Sequence, residues 1–196
     1  MKNVMKQSLV ILALFTALYT YAGEVITFSS NDVNAKSLVK IQQISEGTHF
    51  SIKDEDGITL YQETINNSGI VSKLLDFSTL PDADYYFELD SEEKIKVIPF
   101  SVNKSVAEFV AAEEYSIVKP KIVVNDQLVH ISNDALENQK VDVKVYYEND
   151  DLAFRELLQD AKAINRTYDF SSSLKGNYTI VLTKEGRTFV DNIYIP

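Results

Sequence analysis

Short runs of alternating apolar and polar residues follow one another along most of this chain, and each ends at a cluster of Asp, Asn, Ser or Gly. Glu24 to Ser29 (EVITFS) alternates and predicts a first strand, and Leu38 to Ile41 (LVKI) a second. Phe50-Ser51-Ile52 begins a third, and Ile58 to Tyr61 returns from it. Val71 to Phe77, Tyr85 to Leu89 and Ile95 to Val102 complete the set, with a corner at Leu80 to Asp84. A period of two places alternate side chains on one face, which a half-buried strand requires. Asp54-Glu55-Asp56-Gly57 lies between the third and fourth runs. Asp-Gly between alternating runs signals a hairpin, because the turn needs a positive φ.

The same order of runs then occurs again. DFSTLPDADYYFEL (Asp76 to Leu89) and DFSSSLKGNYTIVL (Asp169 to Leu182) align without a gap at an offset of 93 residues. They share Asp76/Asp169, Phe77/Phe170, Ser78/Ser171, Tyr85/Tyr178 and Leu89/Leu182. That offset also carries Phe50-Ser51-Ile52 onto Val143-Lys144-Val145, Tyr61 onto Phe154, Glu63 onto Glu156 and Val97 onto Val190. Glu148-Asn149-Asp150-Asp151 falls on the Glu55 turn. Upstream, Leu128 to Ile131 matches Leu38 to Ile41 at an offset of 90, so one loop differs by three residues. The pattern is an internal duplication. Each unit has several short strands at regular spacing, which predicts an all-β chain of two tandem β-sandwiches. The units are placed at 23–102 and 119–196, with a linker at 103–118. Within the linker, Val106 to Glu114 has the Ala and Glu content of one or two helical turns; the favoured reading is a linker followed by the first strand of the second unit.

The repeated stretch explains itself physically. Ala83 and Gly176 each stand two residues before a Tyr, at Tyr85 and Tyr178. A small residue there lets the chain turn between sheets, and the Tyr lies back to hydrogen-bond the preceding backbone. This is the tyrosine corner of immunoglobulin-like sandwiches. Both Tyr are therefore expected to be buried structural residues.

With these residues in place, each half resembles the immunoglobulin-like domains of secreted Bacteroidota proteins. The second half is similar to the C-terminal sorting domain of type IX secretion cargo, on Val143 to Val145, Asn149 to Phe154, Tyr168 to Ser171, Leu174, Gly176 and Tyr178. The resemblance implies two tandem immunoglobulin-like domains and a place in, or beside, that secretion pathway. It departs at the last strand, where Asn192 to Pro196 holds no Lys or Arg.

Composition sets the address. Residues 1–22 read as a cleaved signal peptide: Lys2 and Lys6 precede an uncharged run from Ser8 to Ala22, too short for a membrane span. The mature chain is therefore expected to be secreted or periplasmic, without membrane insertion. There is no Cys, so no lipid anchor forms at the cleavage point and no disulfide or thiolate site exists. Losing Lys2 and Lys6 takes the net charge from −10 to −12, which argues against a nucleic-acid partner.

Little in the chain carries chemistry. His49 and His130 align with Asp142 and Lys40 in the opposite repeat, and neither has a second His at ligand spacing. No nucleophile elbow and no phosphate-binding glycine loop occurs. The acidic turns at Asp54 and Glu148 are candidates for calcium, but each alone supplies too few oxygens, and Asp and Asn are ordinary turn residues, so the turn reading is favoured. No catalytic, cofactor or metal residue is assigned. The expectation is a non-enzymatic structural or interaction protein with a protein or cell-surface partner. The alternative is a carbohydrate- or peptide-binding module, for which Tyr61, Tyr146 and Tyr147 are the candidate face; the absence of Trp counts against a sugar platform.

Overall fold

The structure, a computed structural model, describes residues 25–31, 36–109, 113–134, 139–148 and 151–196. Residues 1–22, expected as a signal peptide, and part of the Glu148 turn lie outside them. The described residues form β1 (Val25–Asn31), β2 (Lys36–Ile44), β3 (His49–Asp54), β4 (Thr59–Thr64), β5 (Gly69–Asp76), β6 (Ala83–Asp90), β7 (Lys94–Asn103) and β8 (Val106–Phe109). They continue with β9 (Tyr115–Val118), β10 (Lys121–Asn125), β11 (Leu128–Asn133), β12 (Gln139–Tyr147), β13 (Asp151–Ala161), β14 (Ile164–Asp169), β15 (Gly176–Lys184) and β16 (Arg187–Ile195). The fold is all-β, and every pairing among these strands is antiparallel.

The strands assemble as two sandwiches. In the first, a sheet ordered β1-β2-β5 faces one ordered β4-β3-β6-β7-β8, with β9 also paired to β7. In the second, β10-β11-β14 faces β13-β12-β15-β16. Val39, Ile41 and Ile44 from one sheet meet Phe50, Ile52, Phe87, Leu89 and Phe100 from the other in a continuous core. Val129, Ile131 and Ile164 meet Val143, Val145, Ile180 and Leu182 in the second. Apart from Ile44, which follows a bulge after Ile41, and Ile164, which lies outside the runs read from the sequence, these are the residues that alternation assigns to the inner faces.

The duplication extends to individual hydrogen-bonded pairs. Phe50 lies opposite Leu89 and Glu63, and 93 residues later Val143 lies opposite Leu182 and Glu156. The bulge in the β3–β4 ladder after Ile52 recurs in the β12–β13 ladder after Val145. The smaller sheets differ by a slip of two residues: Val39 pairs with Lys73, whereas Val129 pairs with Tyr168, the counterpart of Leu75. An even slip keeps every side chain on its face, so Val39 and Val129 are both fully buried.

The segment expected as a linker holds two paired strands, Val106–Phe109 and Tyr115–Val118. β8 and β9 both pair with β7, on the first sandwich. β9 is thus not the opening strand of the second unit, which begins with β10.

Both corners form as the spacing requires. The Tyr85 hydroxyl donates to the Pro81 carbonyl at 2.9 Å, and that of Tyr178 to Leu174 at 2.7 Å. Gly176 has φ +142°, and a Cβ there would meet the Tyr147 ring at 3.2 Å. The first unit carries Asp54 in place of Tyr147, and there Ala83 fits. Tyr85→Phe and Tyr178→Phe are each expected to lower stability by about 1 kcal/mol, the net worth of one hydrogen bond. Thermal melts of the two variants check this, and similar losses are expected because the bonds are equivalent.

Candidate functional site

Three features of the fold are not explained by core formation alone: a junction between the sandwiches, an exposed strand edge and a cleft.

At the junction, the outward face of β6 and β7 receives the start of β16. Ile95, Val97 and Ile117 are buried together, with Tyr86 and Phe189 packed against them. Beside them Glu88 is buried and ion-paired to Lys53 at 2.5 Å and to Arg187 of the second unit. Burial by itself pushes the Glu88 carboxyl up. Hydrogen bonds from Arg187 and Lys53 outweigh that, so it sits below the ordinary glutamate value of 4.5. The carboxylate is therefore ionised between two cations.

A second polar contact closes the junction from the other side. Lys184 and Asn133 occupy inward positions at the end of the second core. Lys184 Nζ and Asn133 Nδ2 both donate to the Val118 carbonyl, at 2.7 and 2.9 Å. Val118 ends β9, which is tied to β7 of the first sandwich. Lys184 is only 1% exposed, and burial holds its ammonium below its ordinary value. An apolar isostere avoids that desolvation, and the Val118 carbonyl keeps its Asn133 bond. Lys184→Met is therefore expected to leave stability unchanged or raise it by about 1–2 kcal/mol. Equilibrium denaturation at neutral pH measures this.

The exposed edge is β13, the outer strand of its sheet. It spans 11 residues. Leu152, Phe154 and Leu157 along it are 55%, 44% and 40% exposed. In the first unit β4 holds the same edge position, with Leu60 and Tyr61 exposed.

The cleft lies between β13, β14 and the 170–174 loop. It has a volume of about 630 Å³ and is lined mainly by aromatic and aliphatic groups. Tyr147 and Phe170 stand 4.9 and 5.0 Å from the Tyr178 ring, centroid to centroid. Phe154 meets Tyr168 edge-on at 5.4 Å. The Tyr168 hydroxyl donates to Glu156 at 2.7 Å, and Arg166 also bonds that carboxylate. Burial, followed by the Glu156 hydrogen bond, drives the Tyr168 phenol well above its ordinary value.

Of the residues weighed from sequence, Tyr147 lines this cleft, while Tyr61 packs on Phe50 in the other unit. His49 hydrogen-bonds Thr64 at 3.0 Å and His130 hydrogen-bonds Thr167 at 3.1 Å, each to its cross-strand partner. Asp54 accepts the Ile58 N–H at 2.8 Å and closes its own turn. Among the described residues no three His, Cys, Asp or Glu side chains converge as a metal site. No helix there is long and apolar enough to cross a membrane. Sequence reading missed Glu88, Arg187, Lys184, Phe154 and Tyr168. Only comparison of the two copies could have flagged the cleft, through Ala153 and Ser173 standing where the first unit has Leu60 and Leu80.

The fold thus defines an all-β protein of two duplicated sandwiches with a buried junction. No protein family matches the sequence, and no curated protein matches it significantly. Among solved structures, a chain described as "Biofilm associated protein - BSP domain" is similar at 19% identity and a TM-score of 0.29. The match covers 81% of this chain and 27% of that one, so the present chain spans about a quarter of its length.

Proposed function

We propose that this is an exported, non-enzymatic protein whose two immunoglobulin-like sandwiches act as one rigid unit and pair with a protein partner at the cell surface. In this reading residues 1–22 are removed on export, and the sandwiches occupy the mature chain from 23 onwards. The observation that carries it is the edge of β13: a long outer strand with Leu152, Phe154 and Leu157 exposed. Such an edge presents unpaired N–H and C=O groups and templates the addition of another strand. The junction at Glu88 and Val118 holds that edge in a fixed orientation to the first sandwich. The sorting role implied by the type IX resemblance is not part of this reading, because β16 ends without a basic residue.

The test is binding of the purified mature protein to cells of the native organism. Wild type is expected to bind saturably. The double variant Leu152→Lys, Leu157→Lys is expected to bind at least about tenfold more weakly, since charges on an edge block strand pairing. A melting temperature near wild type shows that the loss is not unfolding. Equal binding by both proteins, or none by wild type, contradicts the reading.

A further inference from the structure

Two residues that line the cleft of the second unit are smaller than their counterparts in the first, Ser173 for Leu80 and Ala153 for Leu60. The turn beside it is the same in both units: the Ser173 N–H donates to the Phe170 carbonyl at 2.9 Å, and the Leu80 N–H to that of Phe77 at 3.1 Å. In the first unit Leu80 packs against the core. In the second, Ser173 leaves that space open, and Ala153 replaces the larger Leu60 at the bulge. The walls are then the rings of Tyr147, Phe154, Tyr168, Phe170 and Tyr178.

What these walls offer a ligand is one-sided. The three phenol hydroxyls already donate elsewhere: Tyr147 to the Lys175 carbonyl, Tyr168 to Glu156 and Tyr178 to Leu174. Apart from the short hydroxyls of Thr167, Ser172 and Ser173, the lining offers aromatic rings and aliphatic groups rather than free donors. Its one charged residue is Asp169. The Asp169 carboxylate accepts the Ser171 N–H at 2.8 Å, and this hydrogen bond holds it below its ordinary value. Glu156 is matched by Arg166. The Tyr168 ring, whose hydroxyl donates to a carboxylate, is richer in electrons than an isolated phenol. An anion would find few donors in this cleft, and a sugar would leave hydroxyls unpaired. A positive charge over ring faces is attracted by their quadrupoles, and the carboxylate adds to that attraction.

We propose that this cleft binds a compact organic cation with an apolar shell, of the quaternary or alkylated ammonium class. The proposal does not rest on strand addition at β13, although Phe154 belongs to both surfaces. The group would sit among the five rings with its charge towards Asp169. Its alkyl substituents would replace the volume that Leu80 fills in the first unit.

Calorimetric titration of the two-unit protein tests this, with choline as the cation and 3,3-dimethyl-1-butanol as its uncharged isostere. Choline is expected to bind about fivefold or more tightly than the isostere, the difference one cation–π contact makes. Asp169→Asn keeps the acceptor that closes the turn but removes the charge. It is expected to weaken choline and leave the isostere unchanged. Ser173→Leu restores the first unit's residue and is expected to abolish binding of both without lowering the melting temperature. If Ser173→Leu does not fold, Phe154→Ala at the exposed rim replaces it, with a loss of choline binding expected. Phosphatidylcholine vesicles form a separate arm: binding to them as well assigns the ammonium to a lipid head group, and binding to choline alone assigns a free solute. Equal affinity for choline and its isostere, no binding of either, or full choline binding by a folded Ser173→Leu protein would overturn the proposal.

Discussion

Glu88→Gln is expected to lower stability by about 2–3 kcal/mol and to loosen the two sandwiches from one another. The substitution keeps the volume but removes the charge, so Arg187 and Lys53 face each other without their shared carboxylate. Removing one partner of a buried pair costs about 3–5 kcal/mol. The lower figure applies because Lys53 and Arg187 remain partly exposed, at 19% and 26%, and water compensates part of the loss. Acid should imitate the substitution. The Glu88 carboxyl is held below 4.5 in the folded protein, so its contribution is fully present above that pH. It is lost as pH falls through the lower, folded value. Denaturant titrations of wild type and Glu88→Gln from neutral to acid pH check both statements: the two curves should converge at the acid end. A Glu88→Gln protein as stable as wild type at neutral pH would show that the junction is not held by this group.

Phe87→Ala is expected to have the largest effect of any single truncation in the first unit, about 3–5 kcal/mol. Phe87 is fully buried and stacks on Phe100 at 4.4 Å, on Phe50 at 5.5 Å and on Phe109 at 5.7 Å. These four rings come from β3, β6, β7 and β8, so the cavity would open where four strands meet. Near-ultraviolet circular dichroism separates this from a surface effect, because the stacked rings lose their fixed environment. The second unit has Ile180 at the equivalent position and no such stack. Ile180→Ala is accordingly expected to change the aromatic signal far less.

The contrast between what could be read from the sequence and what could not has a physical origin. The strands were legible because inward and outward residues alternate, and because Asp54 to Gly57 closes a turn that only a few residue types permit. The corners were legible because Tyr85 and Tyr178 need a small residue at a fixed distance. The pairing of β8 and β9 with β7 was not, since Val106 to Val118 mixes helix formers with β-branched residues and its state is decided by the neighbouring edge. The junction was hidden for a related reason. Glu88 and Arg187 are 99 residues apart, and a lone charge in an alternating strand reads as a solvated face. Lys184 even falls on the inward face, where the distant Val118 carbonyl and the Phe189 ring receive its ammonium. The cleft is lined by Ala153 and Ser173 where the other copy has Leu60 and Leu80, and single small residues leave no mark unless the other copy is set beside them.

The junction around Glu88, Arg187 and Val118 locks the two duplicated sandwiches into one body. The chain contains no Cys, so spin labels can be placed at will. Labels at Glu55→Cys and Lys175→Cys, both exposed and one on each sandwich, report the separation by pulsed electron paramagnetic resonance. A single narrow distance distribution is expected, broadening when Glu88→Gln is added. A distribution already broad in the wild-type background, and unchanged by Glu88→Gln, would contradict the claim.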